Sequence, residues 1–555
     1  MTYQFSKPVV LLANVLLVLT LLVSGSLVLS QETVSSTDET SPSTNSMMIQ
    51  ACNGVDNHTS CLDKLQSRIT NWGHNRNPTS ILKAALENTL NEARQAIDSL
   101  NTFTTFSFSP REQIAIEDCK ELLDFSVSEL AWSLAEMNRV RSGSRSPHSE
   151  GNLKAWLSAA LSNQDTCLEG FEGTDRRLER FVRGSLTQVT QLIGNVLSLY
   201  TQLHGLPFKP PRINNNTAFS GVHESVIYPE WMTEGDKQIV HSSPNGMHVD
   251  SVVALDASGH YRSIAQAIYA APSYSNRRYI IYVKRGVYHE NIDLKKKKTN
   301  IMLVGDGIGA TVITGNRNFM QGWTTFRTAT VAVSGKGFIA RDISFRNTAG
   351  PQNHQAVALR VDSDQSAFFR CSMEGHQDTL YSHSLRQFYR ECNIYGTMDF
   401  IFGNGAAVFQ NCKIYTAGDP LPLQKVTITA QGRKSPDQST GFSIQDSYVY
   451  ATQPTYLGRP WKLYSRTVFI NTYMSSQVQP RGWLEWYGNF ALNTLWYGEY
   501  RNYGPGASLS GRVQWPGYHI IKDASVASFF TVGRFIDGMS WLPATGVKFS
   551  AGLTN

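Results

Sequence analysis

Cysteine is scarce in this chain, with seven among 555 residues. None of the seven has the histidine, acidic or cysteine neighbours of a zinc site, and none has the partners of a catalytic thiol. We therefore expect no metal and no cofactor. Helical patterns are also scarce after residue 249, where short apolar runs alternate with Gly, Asn and Asp turns. That scarcity excludes an α/β barrel, which needs a helix between successive strands.

The first 30 residues carry a single lysine, followed by an apolar run over residues 9–29. This pattern predicts a secretory signal peptide over 1–30. The alternative is an uncleaved signal anchor, because the run is long enough to span a bilayer. In both cases the rest of the chain leaves the cytoplasm. The sequons at Asn57 and Asn215 are then candidate glycosylation sites.

Charge is unevenly distributed along the chain. Residues 1–240 carry a net −6 and residues 241–555 a net +12, which together give the +6 of the whole chain. A basic C-terminal half suits a polyanionic substrate through long-range attraction. Nucleic acid is the other polyanion it could bind, but secretion argues against that, and we expect no nucleic-acid partner. The opposite signs of the two halves fit mutual docking; the alternative is two ordinary solvated surfaces.

Amphipathic helical patterns occupy about residues 60–205. Over 81–100, apolar residues recur at spacings of three and four along one face. Similar patterns at 121–137, 153–171 and 178–203 predict an all-α four-helix bundle. The Ser- and Thr-rich segment 31–50 is predicted to be a disordered leader, and the Pro-rich segment 206–245 a linker.

Two aspartates in the C-terminal half each follow a cysteine by seven residues: Asp378 follows Cys371, and Asp399 follows Cys392. The period of about 20 residues predicts a solenoid, an all-β right-handed parallel β-helix. Equivalent positions in neighbouring coils lie roughly 4.7–4.9 Å apart, so Asp378 and Asp399 should meet on one face. Two close carboxylates do not easily both ionise, so one pKa should rise. One proton donor beside one nucleophile or base is the machinery of a hydrolase.

Five motifs occur in order along the C-terminal half: GVYHE (286–290), HQAVALR (354–360), GHQDTL (375–380), GTMDFIFGN (396–404) and LGRPW (457–461). Together they closely resemble the plant pectin methylesterases over about residues 249–545. WLSAALSNQDTCLEGF (156–171) resembles the pectin methylesterase inhibitor domain. The resemblance implies an inhibitor-like helical bundle at 47–205, a linker and processing region at 206–245, and a pectinesterase β-helix at 246–555.

The resemblance also implies a mechanism and its residues. Asp399 is the expected nucleophile, Asp378 the proton donor and base, and Gln377 an oxyanion stabiliser. The residues expected to bind substrate are Thr325, Gln355, Arg459 and Trp461, with Gln355 also a candidate oxyanion donor. His376 stands where the family usually has Tyr, and it either modulates Asp378 or packs beside it. Met398 stands where the family usually has Val.

Disulfide pairing is implied by the same resemblance as Cys52–Cys61, Cys119–Cys167 and Cys371–Cys392. Sequence alone allows three connectivities among the first four cysteines. In the β-helix, coil geometry allows Cys392 to pair with Cys412 instead of Cys371. The Lys295–Lys298 run is predicted to be a solvated turn, with pectin contact as the alternative.

The expected activity is a secreted pectinesterase of the plant cell wall, acting as a monomer. Its expected partners are methyl-esterified homogalacturonan, its own inhibitor-like domain and separate inhibitor proteins. Related pro-enzymes often carry a basic processing motif in the linker, whereas this chain reads GDKQIV at 235–240. A lyase or polygalacturonase on the same fold, and a non-catalytic inhibitor or wall-binding protein, are the competing hypotheses.

Overall fold

The computed structural model of the chain describes residues 43–71, 77–103, 107, 109–141, 148–205, 249–418 and 420–554. The predicted signal segment, the linker at 206–245 and Asn215 lie outside these ranges. Within them, no helix combines the length and the apolar character needed to cross a membrane.

The described N-terminal part is entirely helical. Its helices are α1 (Thr44–Ala51), α2 (His58–Asn71), α3 (Pro78–Phe103), α4 (Pro110–Arg141), α5 (Ser149–Glu169) and α6 (Arg177–His204). The four long helices, α3 to α6, pack side by side and confirm the predicted all-α bundle. Asn77 caps α3 by accepting a hydrogen bond from the Ser80 N–H at 2.8 Å.

Helix α1 contradicts the prediction of a disordered leader for residues 44–50. Ser43 caps it by accepting a hydrogen bond from the Ser46 N–H at 3.2 Å. Met47 and Met48 are buried in the core of the bundle. The segment is helical despite its polar composition because these two side chains have a core to enter. Residues 31–42 lie outside the described ranges.

Two disulfides fasten the bundle. Cys52–Cys61 joins the end of α1 to α2, and Cys119–Cys167 joins α4 to α5. Both are the pairs that the family resemblance implies. Asn57, the other sequon residue, is exposed next to the first disulfide and accepts a hydrogen bond from the Ser60 N–H at 2.9 Å.

The C-terminal part is built mainly from strands. They are β1 (Ser251–Val253), β2 (Tyr279–Val283), β3 (Gly286–His289), β4 (Ile292–Leu294), β5 (Ile301–Val304), β6 (Thr311–Gly315), β7 (Val331–Val333), β8 (Ile339–Arg341), β9 (Ser344–Asn347), β10 (Leu359–Val361), β11 (Ser366–Phe369), β12 (Ser372–Glu374), β13 (Leu380–Ser382), β14 (Arg386–Arg390), β15 (Asn393–Gly396), β16 (Met398–Gly403), β17 (Ala406–Gln410), β18 (Lys413–Thr416), β19 (Val426–Gln431), β20 (Gly441–Gln445), β21 (Tyr448–Tyr450), β22 (Thr455–Pro460), β23 (Arg466–Ile470), β24 (Tyr473–Met474), β25 (Trp496–Tyr500) and β26 (Tyr518–Ile520). Short helices are α7 (Ile264–Ala270), α8 (Ala524–Ser528) and α9 (Val532–Phe535), with 3-10 turns at Phe319–Gln321, Thr325–Arg327, Pro351–Asn353, Gly538–Ser540 and Leu542–Thr545.

These strands form three parallel sheets, which confirm the parallel β-helix. Sheet I has the order β1-β2-β5-β8-β11-β14-β17-β20-β23-β25-β26, sheet II the order β22-β19-β16-β13-β10-β7-β4, and sheet III the order β24-β21-β18-β15-β12-β9-β6-β3. Each sheet takes about every third strand, so the chain winds through all three before it returns one rung further along. Equivalent side chains therefore stack: the rings of Phe368, Tyr389 and Phe409 lie 4.9 and 4.7 Å apart in succession.

Three cysteines stack in the core in the same way, and they correct one predicted disulfide. Cys371, Cys392 and Cys412 are buried free thiols, so neither Cys371–Cys392 nor the Cys392–Cys412 alternative is formed. The thiols instead donate weak hydrogen bonds to backbone carbonyls, as Cys392 does to Phe368 at 3.4 Å. Stacking one strand apart, roughly 4.7–4.9 Å, does not by itself bring two sulfur atoms to bonding distance.

The helical bundle packs on the outer face of sheet II. Apolar side chains of that sheet, among them Ala332, Tyr381 and Phe402, share one buried cluster with the bundle core. The lysine run is the predicted turn, but only part of it is solvated: Lys295 and Lys297 are exposed, Lys296 is half-buried and Lys298 is buried. Lys295 and Lys296 pair with carboxylates of α4, and Lys298 is buried with its ammonium group donating to the Tyr269 carbonyl. The C-terminal helices α8 and α9 cover sheet I.

The free state of the three core thiols predicts a simple chemical result. Alkylation of the unfolded, unreduced chain should label Cys371, Cys392 and Cys412, while the native chain should resist labelling because all three are buried. Peptide mass spectrometry measures both. The cysteines of the two bundle disulfides, unlabelled without reductant, are the internal control. If only one of the three cysteines were labelled in the unfolded chain, the other two would be joined by a disulfide and the prediction would be wrong.

Candidate active site

Neighbouring coils of sheet II bring the two predicted carboxylates together. Asp378 precedes β13 and Asp399 is the second residue of β16, which pairs directly with β13. The Asp378 N–H donates to the Met398 carbonyl at 3.2 Å. Both aspartates have left-handed backbone angles, with φ of 62° and 52°. Such conformations cost a residue with a Cβ about 1–2 kcal/mol, and they are found where the surrounding fold holds a functional side chain in place.

Asp399 is held from two sides. The Arg459 guanidinium, on β22, donates from Nε to Oδ1 at 2.8 Å and from Nη2 to Oδ2 at 2.5 Å. The Thr427 hydroxyl, on β19, donates to Oδ1 at 2.6 Å and accepts from the Asp399 N–H at 3.0 Å. A two-point contact between arginine and carboxylate fixes the plane of the carboxylate as well as its position. Asp399 is therefore oriented before any substrate arrives.

Asp378 has no such cation at hydrogen-bond distance, and its environment favours the protonated form. Burial raises the pKa of Asp378 well above its usual value, and the charge of neighbouring Asp399 raises it further. Arg459 opposes this shift, while Glu172 of the bundle adds to it. The paired carboxylates thus differ in their surroundings: Asp399 has a fixed cationic partner, and Asp378 is set up to keep a proton.

All seven predicted catalytic and substrate-binding residues line one cavity of about 300 Å³. They are Thr325, Gln355, Gln377, Asp378, Asp399, Arg459 and Trp461. Gln377 is buried, its backbone carbonyl accepts a hydrogen bond from the Ala356 N–H at 3.3 Å, and its side-chain Oε1 has no hydrogen-bond partner. This oxygen can accept a hydrogen bond from a ligand in the cavity.

Sequence reasoning missed other residues of the site. Trp486 lines the cavity and lies under the Arg459 guanidinium at 4.3 Å, and Phe402 lies beside Trp461 at 6.0 Å. Thr427, which holds Asp399, was also missed. Trp486 stands in an aromatic segment, WLEWY (483–487), that marks it as a candidate, whereas Thr427 sits in an ordinary strand sequence.

The helical bundle forms the remaining wall of this cavity. Thr166, Glu169, Gly170 and Glu172, from the end of α5 and the turn after it, line it together with the site residues. Glu169 forms an ion pair at 2.6 Å with Lys462, the residue that follows Trp461 in the chain. In the full chain, the bundle thus narrows the cavity that holds both aspartates by lining one side of it.

The two positions at which the chain differs from the usual family residue, His376 and Met398, lie next to Gln377 and Asp399 in the chain. His376 is half-buried, and burial alone lowers its pKa, while its backbone carbonyl accepts from the Thr397 N–H at 3.0 Å. The causes of the raised pKa of Asp378 are its burial and the charges of Asp399 and Glu172, and both alternatives for His376 stay predictions. Within the described ranges, no three His, Cys, Asp or Glu side chains are grouped as metal ligands.

Residues 250–539 match the family model described as Pectinesterase, and residues 46–199 match that described as Plant invertase/pectin methylesterase inhibitor. The chain belongs to the pectinesterase family. A protein of Arabidopsis thaliana named as pectinesterase/pectinesterase inhibitor 22 is 65% identical over 92% of this chain and 94% of its own length. A pectinesterase/pectinesterase inhibitor of Prunus persica is 50% identical over 84% of this chain and 88% of its own.

Among solved structures, the pectin methylesterase from carrot is 52% identical, with a TM-score of 0.55. The match covers 56% of this chain and 99% of the carrot chain. The carrot chain is therefore matched over nearly all of its length by about half of this one.

The charge of Asp399 is one cause of the raised pKa of Asp378 in the pectinesterase part, and this can be tested by Asp399→Asn. The substitution removes a negative charge while Arg459 keeps its positive one, so the pKa of Asp378 should fall. Infrared titration of the protonated carboxyl band measures it, and Asp378→Asn identifies the band. An unchanged pKa in Asp399→Asn would show that burial alone sets the proton of Asp378.

Proposed function

We propose that this chain is a pectin methylesterase, which hydrolyses the methyl esters of homogalacturonan to pectate and methanol. The observation that carries the proposal is the pair of aspartates in one cavity. Asp399 is oriented by Arg459, and Asp378 lies in surroundings that raise its pKa. An ester hydrolase whose acyl-enzyme forms on an aspartate needs that carboxylate to attack and a second group, here a carboxylic acid, to protonate the leaving group.

In the first step, an Asp399 oxygen bonds to the ester carbonyl carbon of a methylated galacturonate. The bond to the methoxy oxygen breaks, and Asp378 gives that oxygen a proton, so methanol leaves. In the second step, the Asp378 carboxylate takes a proton from water as the water oxygen bonds to the acyl carbon. The bond to Asp399 then breaks, and the free acid product and the starting enzyme are released.

Each step passes through a tetrahedral intermediate whose carbonyl oxygen becomes negative. Neutral amide donors that are already in place stabilise that oxygen, and Gln377 and Gln355 are our candidates. Thr325, Trp461 and Arg459 are the proposed substrate-binding residues, with the Trp461 ring stacking on a sugar. Arg459 is a positioning residue for Asp399 as well.

We further propose that the bundle at 47–205 inhibits the β-helix domain at 246–555 until the linker at 206–245 is cut. Support comes from Thr166, Glu169 and Glu172, which line the active-site cavity opposite the β-helix residues and so stand in the path of a polymer. GDKQIV lacks a basic cluster, so cutting should be inefficient. Residues 1–30, as signal peptide or anchor, would deliver a monomeric enzyme to the plant cell wall. Separate inhibitor proteins are further partners there.

The role of Gln377 as oxyanion donor is tested by Gln377→Ala. Losing one preorganised donor should reduce kcat by roughly 10²–10³-fold, while KM changes much less because the donor acts mainly in the transition state. Methanol release over a range of pectin concentrations separates the two constants. Gln352→Ala, a nearby exposed glutamine, is the matched control. A change confined to KM would make Gln377 a binding residue instead.

Because burial raises the pKa of several carboxyl groups of the bundle at its interface with the β-helix, we expect docking of the bundle to weaken as pH rises. Burial raises the pKa of Glu129 to about 7, against a usual 4.5, and also raises the pKa of Asp118 and Glu169. A raised pKa favours the docked state while the proton is bound, so this contribution is present below about pH 4.5 and lost as pH rises to about 7. The pKa of Glu121 is lowered to about 2, so its contribution to docking is fully present above about pH 4.5 and is lost only as pH falls toward 2, outside this window.

The measurement uses a full chain with a specific protease site in the linker, cut after folding. Release of the bundle between pH 5 and 7, followed by size-exclusion chromatography, should increase with pH. Glu129→Gln cannot ionise and should flatten the dependence. Equal release at pH 5 and pH 7 in the parent chain would contradict the titration argument but not the esterase assignment.

A further inference from the structure

Ion pairs between the bundle and the β-helix nearly all have the same polarity. In six of them a bundle carboxylate meets a β-helix cation: Glu121–Lys295, Glu129–Lys296, Asp118–Arg327, Glu121–Arg327, Asp165–Lys434 and Glu169–Lys462. Across the described ranges, only His148 and Asp537 pair in the opposite sense. Two domains that merely pack together have no need of such one-sided charge.

Three of these cations have no anionic partner in the described β-helix. The Lys296 ammonium lies 3.3 Å from Glu129 and over the bundle rings of Phe125 and Trp132. The Lys434 ammonium lies 3.0 Å from Asp165, and that of Lys462 lies 2.6 Å from Glu169. When the bundle leaves, all three ammonium groups lose their counter-ions. The pectinesterase part thus keeps three lysines whose neutralisation depends on a separate anion.

These lysines stand on both sides of the catalytic pair along sheet II. Lys296 follows β4, which is three strands from β13 at Asp378, or roughly 14 Å. Lys434 follows β19 and Lys462 follows β22, one and two strands beyond β16, which is roughly 5 and 10 Å along the stack of coils. The three lysines follow the carboxyl ends of their strands, whereas both aspartates lie at the amino ends, so the lysines are also displaced from the aspartates along the strand direction. A polymer with one ester at Asp399 extends beyond the cavity to either side, so its other residues can reach these positions.

We propose that Lys296, Lys434 and Lys462 bind the free carboxylates of partly de-esterified homogalacturonan. In their ionised forms, Glu129, Asp165 and Glu169 of the bundle occupy the same positions in the full chain as mimics of those carboxylates. The proposal rests on the proposed function for the identity of the polymer. A galacturonate carboxylate is the same chemical group as a glutamate side chain, whereas its methyl ester is neutral. The lysines therefore distinguish sugars that have been hydrolysed from sugars that have not.

This arrangement has a consequence for the order of reaction. Each hydrolysed ester creates one more anion that these lysines can hold, so a polymer with free acids next to its esters binds better than a fully esterified one. The same free acids compete with the bundle carboxylates. De-esterified polymer should therefore help to displace the bundle and raise the activity of the uncut chain.

Binding is the test that separates this proposal from the esterase assignment. The full chain with a protease site in the linker is cut, and the pectinesterase part is separated from the bundle at high salt, where screening weakens the ion pairs. Calorimetry then measures affinity for a fully de-esterified oligogalacturonate and for its fully methyl-esterified counterpart. Lys434→Gln and Lys462→Gln should each weaken binding of the free acid roughly threefold to fivefold, the range for one partly exposed ion pair. Binding of the methyl ester should stay unchanged.

Lys413→Gln is the matched control, because it removes one exposed positive charge from sheet III, away from the cavity. Equal losses for free acid and methyl ester, equal losses in Lys413→Gln, or no loss in either lysine variant would overturn the proposal. If selective loss is seen but the parent releases no methanol, the lysine sites stand and the esterase assignment fails. If the parent releases methanol but the lysine variants show no selective loss, the esterase assignment stands and the lysine sites fail. In the uncut chain, added de-esterified oligogalacturonate should raise the initial rate, and no increase would overturn the mimicry.

Discussion

The parallel ladder between neighbouring coils is the constraint on which the rest of this molecule depends. Because β13 and β16 pair strand to strand, residues that are 21 positions apart in the chain become neighbours in space. Asp378 and Asp399 meet for that reason, and Arg459 reaches Asp399 from β22 of the same sheet. The aromatic and thiol stacks in the core follow from the same repeat. The backbone register therefore determines which side chains meet at the site, and the side chains then determine its chemistry.

Register places the two aspartates together, and their surroundings make them different. Asp399 receives a guanidinium and a hydroxyl, while Asp378 receives burial and the charge of its neighbour. The docked bundle changes these surroundings further, because Glu172 adds a negative charge near Asp378 and residues of the bundle line one side of the cavity. Inhibition by the bundle would therefore act through electrostatics as well as through steric exclusion.

The repeat and the local motifs made much of this predictable from sequence. A cysteine and an aspartate at a fixed offset, twice, predict both the solenoid and the meeting of the carboxylates. Helices were predicted with short boundaries, such as 81–100 for Pro78–Phe103, because the amphipathic pattern fades toward the helix ends. Ser43 and Met47 gave too weak a signal for α1, since a short helix depends on its tertiary contacts.

Other features depend on which surfaces meet, and sequence does not encode that locally. Lys296 reads as part of a solvated run until Glu129 is placed beside it. Thr427 lies in an unremarkable strand, and only the register with β16 gives it a role. The Cys371–Cys392 disulfide was inferred from relatives, yet coil stacking places thiols near each other without requiring a bond. Long-range pairing decides all three cases.

The bundle and the sheet it covers belong to one polypeptide, and this sets how docking responds to dilution. An inhibitor on a separate chain dissociates as both partners become scarce. A tethered bundle meets its sheet at an effective concentration fixed by the connecting segment, often in the millimolar range for short flexible connections. The fraction of chains in which the bundle is docked on the cavity is then the same at high and at low protein concentration. Dilution on its own therefore leaves the bundle docked, whereas a cut in the chain, a competing polyanion, added salt or a rise in pH weakens the docking that we propose.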